Sequence, residues 1–264
     1  MSASADPVVL RHRDLEKIAN VALRVGRVLM ECGGRVSVVR EGMRLTAQGL
    51  GASVVGERVG YASLSLTVGA GEETITRMID VGPHGVNYQL DVAVRRYATQ
   101  VAQQGGAPQD VTATIDRLVE ETRRHPLWLV APATGLACAA FGRLLGVDWP
   151  AFLPIFLAGG IGQWTRAKLH ARGTNPCLIA AVIAFIAGGL GGFGARAAGS
   201  TSAEMALIAS TLLLVPGVPA TNAQTDIMEG FPTVGSARAV SVAMIMVFAT
   251  IGIWGAEAML GMLP

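Results

Sequence analysis

The sequence predicts an N-terminal soluble α+β domain followed by an all-α membrane domain of about five transmembrane helices. Three observations carry that expectation. The 264 residues are 51% hydrophobic and only 15% charged, with a mean hydropathy of +0.46, which is too apolar for an ordinary soluble domain. The charge is uneven: 15 of the 21 Lys/Arg and 14 of the 19 Asp/Glu fall in residues 1–125, leaving 6 and 5 for residues 126–264. The pattern changes at the same place, from amphipathic periods before His125-Pro126 to nearly continuous apolar runs after it. Residues 1–125 are therefore read as a cytoplasmic domain and 126–264 as a transmembrane helical domain.

Asp14 precedes a segment in which Leu15, Ile18, Ala22, Val25 and Leu29 recur every three or four residues, opposite Glu16, Lys17, Asn20, Arg24 and Arg27. That spacing predicts an amphipathic helix closed by Gly33-Gly34. A second helix presents Val36, Val39, Met43 and Ala47, and the two form a hairpin. From about Ala52 the period becomes two: Ala62, Leu64, Leu66 and Val68 alternate with Ser63, Ser65 and Thr67, predicting a strand with one buried face. Gly69-Ala70-Gly71 turns the chain into an antiparallel partner at 74–81, and Ser53 to Glu57 adds a third strand. Helices follow at roughly Tyr88 to Gln104 and from Pro108 onward, the last with Val111, Ile115, Leu118 and Val119 inward.

Apolar runs near 126–147, 149–165, 176–195, 203–219 and 238–261 each approach the ~20 residues a span requires. Pro132 and Pro154 fall inside these runs and predict kinks. Trp128, Trp149 and Trp164 fall at predicted span ends, where interfacial indoles sit. Arg123 and Arg124 flank the first span and Arg166, Lys168 and Arg172 follow the second, so the positive-inside rule places residues 1–125 in the cytoplasm and the C-terminus outside. Ala184, Gly188 and Gly192 form a small-residue stripe suited to close helix packing.

The fourth run meets two prolines and a glycine, Leu214-Val215-Pro216-Gly217-Val218-Pro219, then continues into a polar segment ending at Met228-Glu229-Gly230. Each proline lacks an amide hydrogen and clashes with the carbonyl one turn earlier, so the expectation is helix, break, short helix. Thr221 and Gln224 have capping-box spacing and predict a restart there. Asp226 and Glu229 would share one face of the second piece. The alternative is that a span ends at Val215 and residues 216–238 are a solvated connection.

Other chemistry is thinly represented. A net charge of +2 from interleaved residues builds no polybasic run, so no nucleic-acid partner is expected. The first residues lack an apolar core of signal-peptide length. Cys32, Cys138 and Cys177 lack CxxC spacing, and His12, His84, His125 and His170 are scattered, so neither a metal nor a cofactor is expected. Nucleophile elbows, phosphate loops and HExxH are absent, and the N-terminal domain is read as regulating, gating or docking.

PATGLACAAFGRLLG (132–146), AGGIGQW (158–164) and LLLVPGVPATNAQTDIMEG (212–230), in this domain order, resemble the threonine/serine exporter family, and the chain looks like the larger subunit of its two-chain form. Where that family tends to show Gly-Ala and then Arg-Val-Glu, this chain has Gly33-Gly34 and Val38-Val39-Arg40. The resemblance implies a secondary transporter subunit of the inner membrane, exporting small hydrophilic metabolites of the threonine/serine type with proton coupling. Single-chain members carry a second set of spans, so a separate small membrane subunit, or a homo-oligomer, is the expected partner. Under this reading Pro216, Gly217, Pro219, Thr221 and Asn222 bind cargo through an unwound segment at 216–220 and the dipole of the following helix. Asp226, and less centrally Glu229, carry the proton. Arg238 is the residue that would pair with Asp226 and make it structural. The alternatives are an exporter of small dicarboxylates, a membrane-anchored enzyme with a catalytic N-terminal domain, and a structural or sensory protein that transports nothing.

Overall fold

The computed structural model describes residues 11–122 and 125–262. The expected Arg123-Arg124 flank and the first ten residues lie outside that range. Contacts gather the chain into two units, Met1–Arg124 with Val218–Ala239, and His125–Gly217 with Val240–Pro264.

In the first unit, α1 (His12–Glu31) and α2 (Val36–Gly49) form the expected hairpin. Leu15, Ile18, Ala22, Val25 and Leu29 are buried along α1, and Val36, Val39, Met43 and Ala47 along α2. The helices approach closely: a Cβ on Gly26 would lie 2.6 Å from Met43 Cγ, and one on Gly42 would lie 2.4 Å from Leu29 Cδ1. Strands β1 (Ser53–Val59), β2 (Ser63–Ala70) and β3 (Glu73–Asp80) form an antiparallel sheet in sequential order, with a register shift between Val54 and Gly56. Period-two alternation sends Leu64, Leu66 and Val68 into the core, joined by Ile75 of β3, whereas Ala62, expected on the same face, precedes the strand and is exposed.

Helices α3 (Tyr88–Gln104) and α4 (Pro108–Glu121) complete this layer. Val111 and Ile115 are buried, but Val119, expected inward, is exposed. Positions 111, 115 and 118 already define the inward stripe, and 119 falls at its edge. Val234, from the returning segment, also lies in this core.

The second unit contains α5 (Leu127–Leu144), α6 (Phe152–Ala171), α7 (Pro176–Ala197) and α8 (Ala203–Ser210), with 3₁₀ turns at Trp149–Ala151 and Leu212–Leu214. Helices α9 (Gly217–Met228) and α10 (Pro232–Met259) each start in one unit and continue into the other. Among the described residues α5, α7 and α10 are long and apolar enough to cross a membrane, and a fourth span is reached if Ala203–Leu214 and Gly217–Met228 are halves of one. Helix α6 is long enough, but its second half carries Gln163, Arg166, Lys168 and His170. It also runs through to Ala171, which leaves Trp164 inside the helix rather than at its end. Pro132 sits inside α5 as expected. Pro154 does not interrupt α6: the helix begins at Phe152, so this proline occupies the first turn, where no amide donor is needed.

Small residues bring these helices to backbone contact. A Cβ on Gly135 of α5 would lie 2.2 Å from the Phe156 carbonyl of α6, and one on Gly252 of α10 would lie 2.2 Å from the Ala181 carbonyl of α7. Gly188 and Gly192 of the expected stripe face Leu207 of α8. The outer faces are apolar: Leu129, Leu136, Leu153, Leu157, Leu190, Phe193 and Ile251 are exposed, and only 17% of the most apolar window of α10 is buried. Patches of this kind need lipid or another chain against them. Asp148 ties two interhelical loops together, accepting from Ser200 Oγ at 2.5 Å and from the Thr201 amide at 2.8 Å. The Ser200 hydroxyl first, and Thr201 after it, hold its carboxyl below the ordinary aspartate range.

Candidate functional site

The helix that starts at Ala203 does break at the prolines, but the break is shorter than the sequence suggested. After the Leu212–Leu214 turn only Val215 and Pro216 are non-helical, and α9 begins at Gly217. The expected unwound segment at 216–220 and the restart at Thr221 are corrected accordingly. Pro219 lies in the first turn of α9, where its missing N–H removes no intrahelical bond. The Thr221 hydroxyl donates back to the Val218 carbonyl at 3.0 Å, which is a mid-helix bond and not a cap. One carbonyl beside the break is taken within its own unit: Arg166 Nη1 donates to Leu213 O at 2.8 Å.

The polar residues that follow assemble inside the first unit, around the turn joining α1 to α2. Gly33 has φ +88°, and a Cβ there would lie 2.7 Å from the Gly85 carbonyl, so glycine is required by conformation and by space. The turn presents two carbonyls to the returning segment. Gly33 O accepts from Asn222 Nδ2 at 2.7 Å, and Gly34 O accepts from Arg238 Nη2 at 2.7 Å.

Between them lies Asp226, with no exposed surface. Its Oδ1 accepts from the Val36 amide at 2.9 Å, and its Oδ2 accepts from Arg238 Nη1 at 2.7 Å. Val36 is the first residue of α2, and the cap residue Arg35 makes no side-chain cap bond of its own. A carboxylate from 190 positions away therefore does the work of an N-cap, in the place where the helix dipole favours negative charge.

Arg238 is itself 5% exposed and completes its contacts on Met30 Sδ at 3.2 Å. Burying two charges is costly unless each is paired and hydrogen-bonded, and both conditions hold. Glu229 lies just past the end of α9, where its Oε1 accepts from Arg35 Nη1 at 3.1 Å on the surface. It does not share the buried setting of Asp226. The corner between α9 and α10 is tight: the Phe231 amide donates to the Asp226 carbonyl at 2.7 Å, and a Cβ on Gly235 would lie 2.5 Å from Ile227 Cγ1.

Of the seven residues singled out from sequence, Asn222, Asp226 and Glu229 thus meet one turn of the first unit. Thr221 lies on the exposed side of α9, while Pro216 and Gly217 belong to the second unit. Two surface grooves, of about 380 and 260 Å³, are lined by none of the seven. The sequence named Arg238 as a partner for Asp226, and the structure makes that pair. In sequence Gly33-Gly34 reads as a helix stop and Val36 as part of an apolar face, and neither they nor Met30 signal that this turn receives Asp226 and Arg238. His84 is a packing residue, its ring 4.2 Å from that of Tyr61 and its Nε2 2.9 Å from the Tyr61 carbonyl.

Apolar helices with lipid-type outer faces, one of them broken at prolines, define a multi-pass membrane protein. The chain belongs to the threonine/serine exporter family: the family described as "Putative threonine/serine exporter" matches residues 20–260. It is 25% identical over 246 residues to the "Probable succinate transporter subunit YjjP" of Klebsiella aerogenes, covering 93% of this chain and 95% of that protein. It is 24% identical over 245 residues to the protein of the same name from Escherichia coli, covering 90% and 95%. No solved structure matches the chain.

Proposed function

We propose that the protein is one subunit of a proton-coupled secondary transporter of the inner membrane that exports small hydrophilic, carboxylate-bearing metabolites, with threonine/serine-type amino acids as the first candidates. The observation that carries this reading is Asp226, a fully buried acid on the short helix that follows the break. Its pairing with Arg238 gives this acid a structural task as well; what supports a functional one is a buried ionisable pair on the segment that follows the break, and family membership supports export. In this arrangement α5, α6, α7, α8 with its break, and α10 are the five spans. Arg166, Lys168 and Arg172 mark the cytoplasmic end, which puts the N-terminal unit in the cytoplasm and the C-terminus outside. The names of the relatives support a second subunit as partner.

Cargo meets the chain at the break, through Pro216, Gly217, Pro219, Thr221 and Asn222. The start of α9 at Gly217 moves the favourable dipole end one turn earlier than the sequence implied, next to the non-helical Val215-Pro216. Asn222 and Asp226 are engaged with the α1–α2 turn in this conformation, so cargo binding exchanges those contacts for new ones. Asp226 is the proton-carrying group and Glu229, paired at the surface, the subordinate one.

The test is pH-gradient-driven efflux from membrane vesicles holding the full chain, with labelled threonine and labelled succinate as probes. Asp226→Asn is expected to reduce driven efflux to background while the protein remains in the membrane. Undiminished driven efflux would remove this acid from the mechanism. A second reading, export of a dicarboxylate, is favoured by the shared name of the two relatives. Counterflow separates the two: the true cargo exchanges against itself in the absence of a gradient, and the other does not.

A further inference from the structure

The proton-carrying role proposed for Asp226 leaves open what sets the pH at which it works, and the geometry answers from one side chain. We propose that Arg238 is the positioning residue of the coupling site. It holds Asp226 ionised on the first amide of α2 and fixes the pH range over which the carboxylate takes its proton. This inference rests on the reading of Asp226 given above.

The guanidinium of Arg238 is planar and forked. Its two terminal nitrogens point to different elements: Nη1 to Asp226 Oδ2 at 2.7 Å on α9, and Nη2 to Gly34 O at 2.7 Å on the α1–α2 turn. A planar fork holds a carboxylate and a carbonyl on two separate nitrogens in fixed geometry, whereas an ammonium must serve both from one rotatable nitrogen. The same turn supplies the Val36 amide to the other carboxylate oxygen at 2.9 Å. Asp226, Arg238 and residues 34–36 therefore close a ring in which each member fixes the next.

Among the described residues the charged and titratable groups near the pair include Asp91 of α3, whose Oδ1 would lie 3.6 Å from a Cβ on Gly34. Arg35 precedes α2 and Glu229 follows α9, and these two are paired with each other at 3.1 Å. Tyr61, between β1 and β2, is near enough to act electrostatically on the guanidinium. Burial and the Val36 amide act on Asp226 first, and Arg238 is the strongest of the neighbouring charges, Arg35 and Glu229 compensating one another at the surface.

Two consequences follow. While Asp226 is ionised the ring is closed and the α9–α10 corner is bound to the α1–α2 turn. When Asp226 gains its proton, the carboxyl keeps hydrogen-bonding capacity but loses the charge that balances Arg238. A buried guanidinium left with a carbonyl and a thioether is unfavourable, so the ring opens and the corner is released from the turn. Proton uptake at one acid is thereby converted into separation of two elements, and Arg238 sets how acidic the medium must be for it to happen.

The experiment compares the pH profile of driven efflux for wild type, Arg238→Lys and Arg238→Gln in vesicles holding the full chain, again with labelled threonine and labelled succinate. An opposite charge at this distance depresses a carboxyl by about one to three pH units. Arg238→Gln should therefore move the protonation limb toward higher pH by about one unit or more. Arg238→Lys, which keeps charge but not the fork, should move it less and restore part of the maximal rate. Profiles that keep their midpoint in both variants, with only the amount of membrane-inserted protein reduced, would show Arg238 to be structural and overturn the proposal.

If Arg238→Gln does not accumulate, the double variant Asp226→Asn/Arg238→Gln, in which the pair is neutral, supplies the folding control and Arg238→Lys carries the profile. An unmoved midpoint in Arg238→Lys, with its rate unchanged as well, then overturns the proposal. Failure of the underlying reading looks different: Asp226→Asn alone would keep its gradient-driven efflux. Loss of efflux in Asp226→Asn together with unmoved Arg238 profiles sinks only the inference.

Discussion

A carboxylate with no exposed surface has to be held by something, and Asp226 is held by a peptide amide and a guanidinium. The amide is the contact that can be removed most cleanly. Val36 is the first residue of α2, and Arg35 before it is extended at ψ 159°, the backbone that a following proline demands. Proline is tolerated at this helical position. Val36→Pro should therefore fold while deleting one donor to a charged acceptor, at a cost of about 1.5–3 kcal/mol beyond that of Val36→Ala. Thermal unfolding of the detergent-purified protein reads the difference, and equal stability of the two variants would mean that the amide contributes nothing. At this scale the sequence was partly legible. It named Asp226 and its partner Arg238 because ionisable residues are rare in the C-terminal half, but the turn that receives them lies 190 positions earlier and carries no chemical signature.

Among the elements, the helices and strands of the first unit followed their periodicity closely. Period 3.6 predicted the buried faces of α1 and α2, and period two predicted β2, because in each case one face must reach the core. The start of α9 was less legible. A proline in a first turn and a proline that ends a helix look alike in sequence, and the spacing of Thr221 and Gln224 imitates a cap that the backbone does not use. Packing between α5 and α6 was legible only as an excess of glycine, whereas the structure separates glycines that matter from those that do not. A Cβ at Gly135 would meet the Phe156 carbonyl at 2.2 Å, while one at Gly160 finds its nearest neighbour, the Ala131 carbonyl, at 3.4 Å. Gly135→Ala is expected to lose about 1–3 kcal/mol by forcing the helices apart. Gly160→Ala should be neutral or gain up to about 1 kcal/mol, since alanine is the better helix former. Melting temperatures of the two purified variants on either side of wild type check the pair, and like signs would contradict the packing described.

For the molecule as a whole, composition divides the chain once, near residue 125, whereas contacts divide it with a return: Val218–Ala239 packs with the N-terminal unit. Val234 enters that unit's core, and Phe231 lies under Arg40 at 5.3 Å. A fragment ending at residue 124 lacks both, together with the acid that caps α2. It should unfold at lower denaturant concentration than the same fragment joined by a flexible linker to residues 218–239, and Asp226→Asn in the joined form should remove much of the gain. Matching midpoints for the two fragments would show that the return segment does not support the unit. Charge counts could not reveal this, because the segment's few polar residues sit between apolar runs and resemble a loop.

The distance in sequence between Val36 and Asp226 also sets an order of events during synthesis. At the ~5–20 residues per second at which chains are made, roughly 10 to 40 seconds separate emergence of the second helix from emergence of the acid that completes it. For that interval the nascent N-terminal unit waits with an open amide and an unfilled place for Val234, while the hydrophobic helices are being handed to the bilayer. Maturation of the first part of the polypeptide is in this way made conditional on delivery of the last.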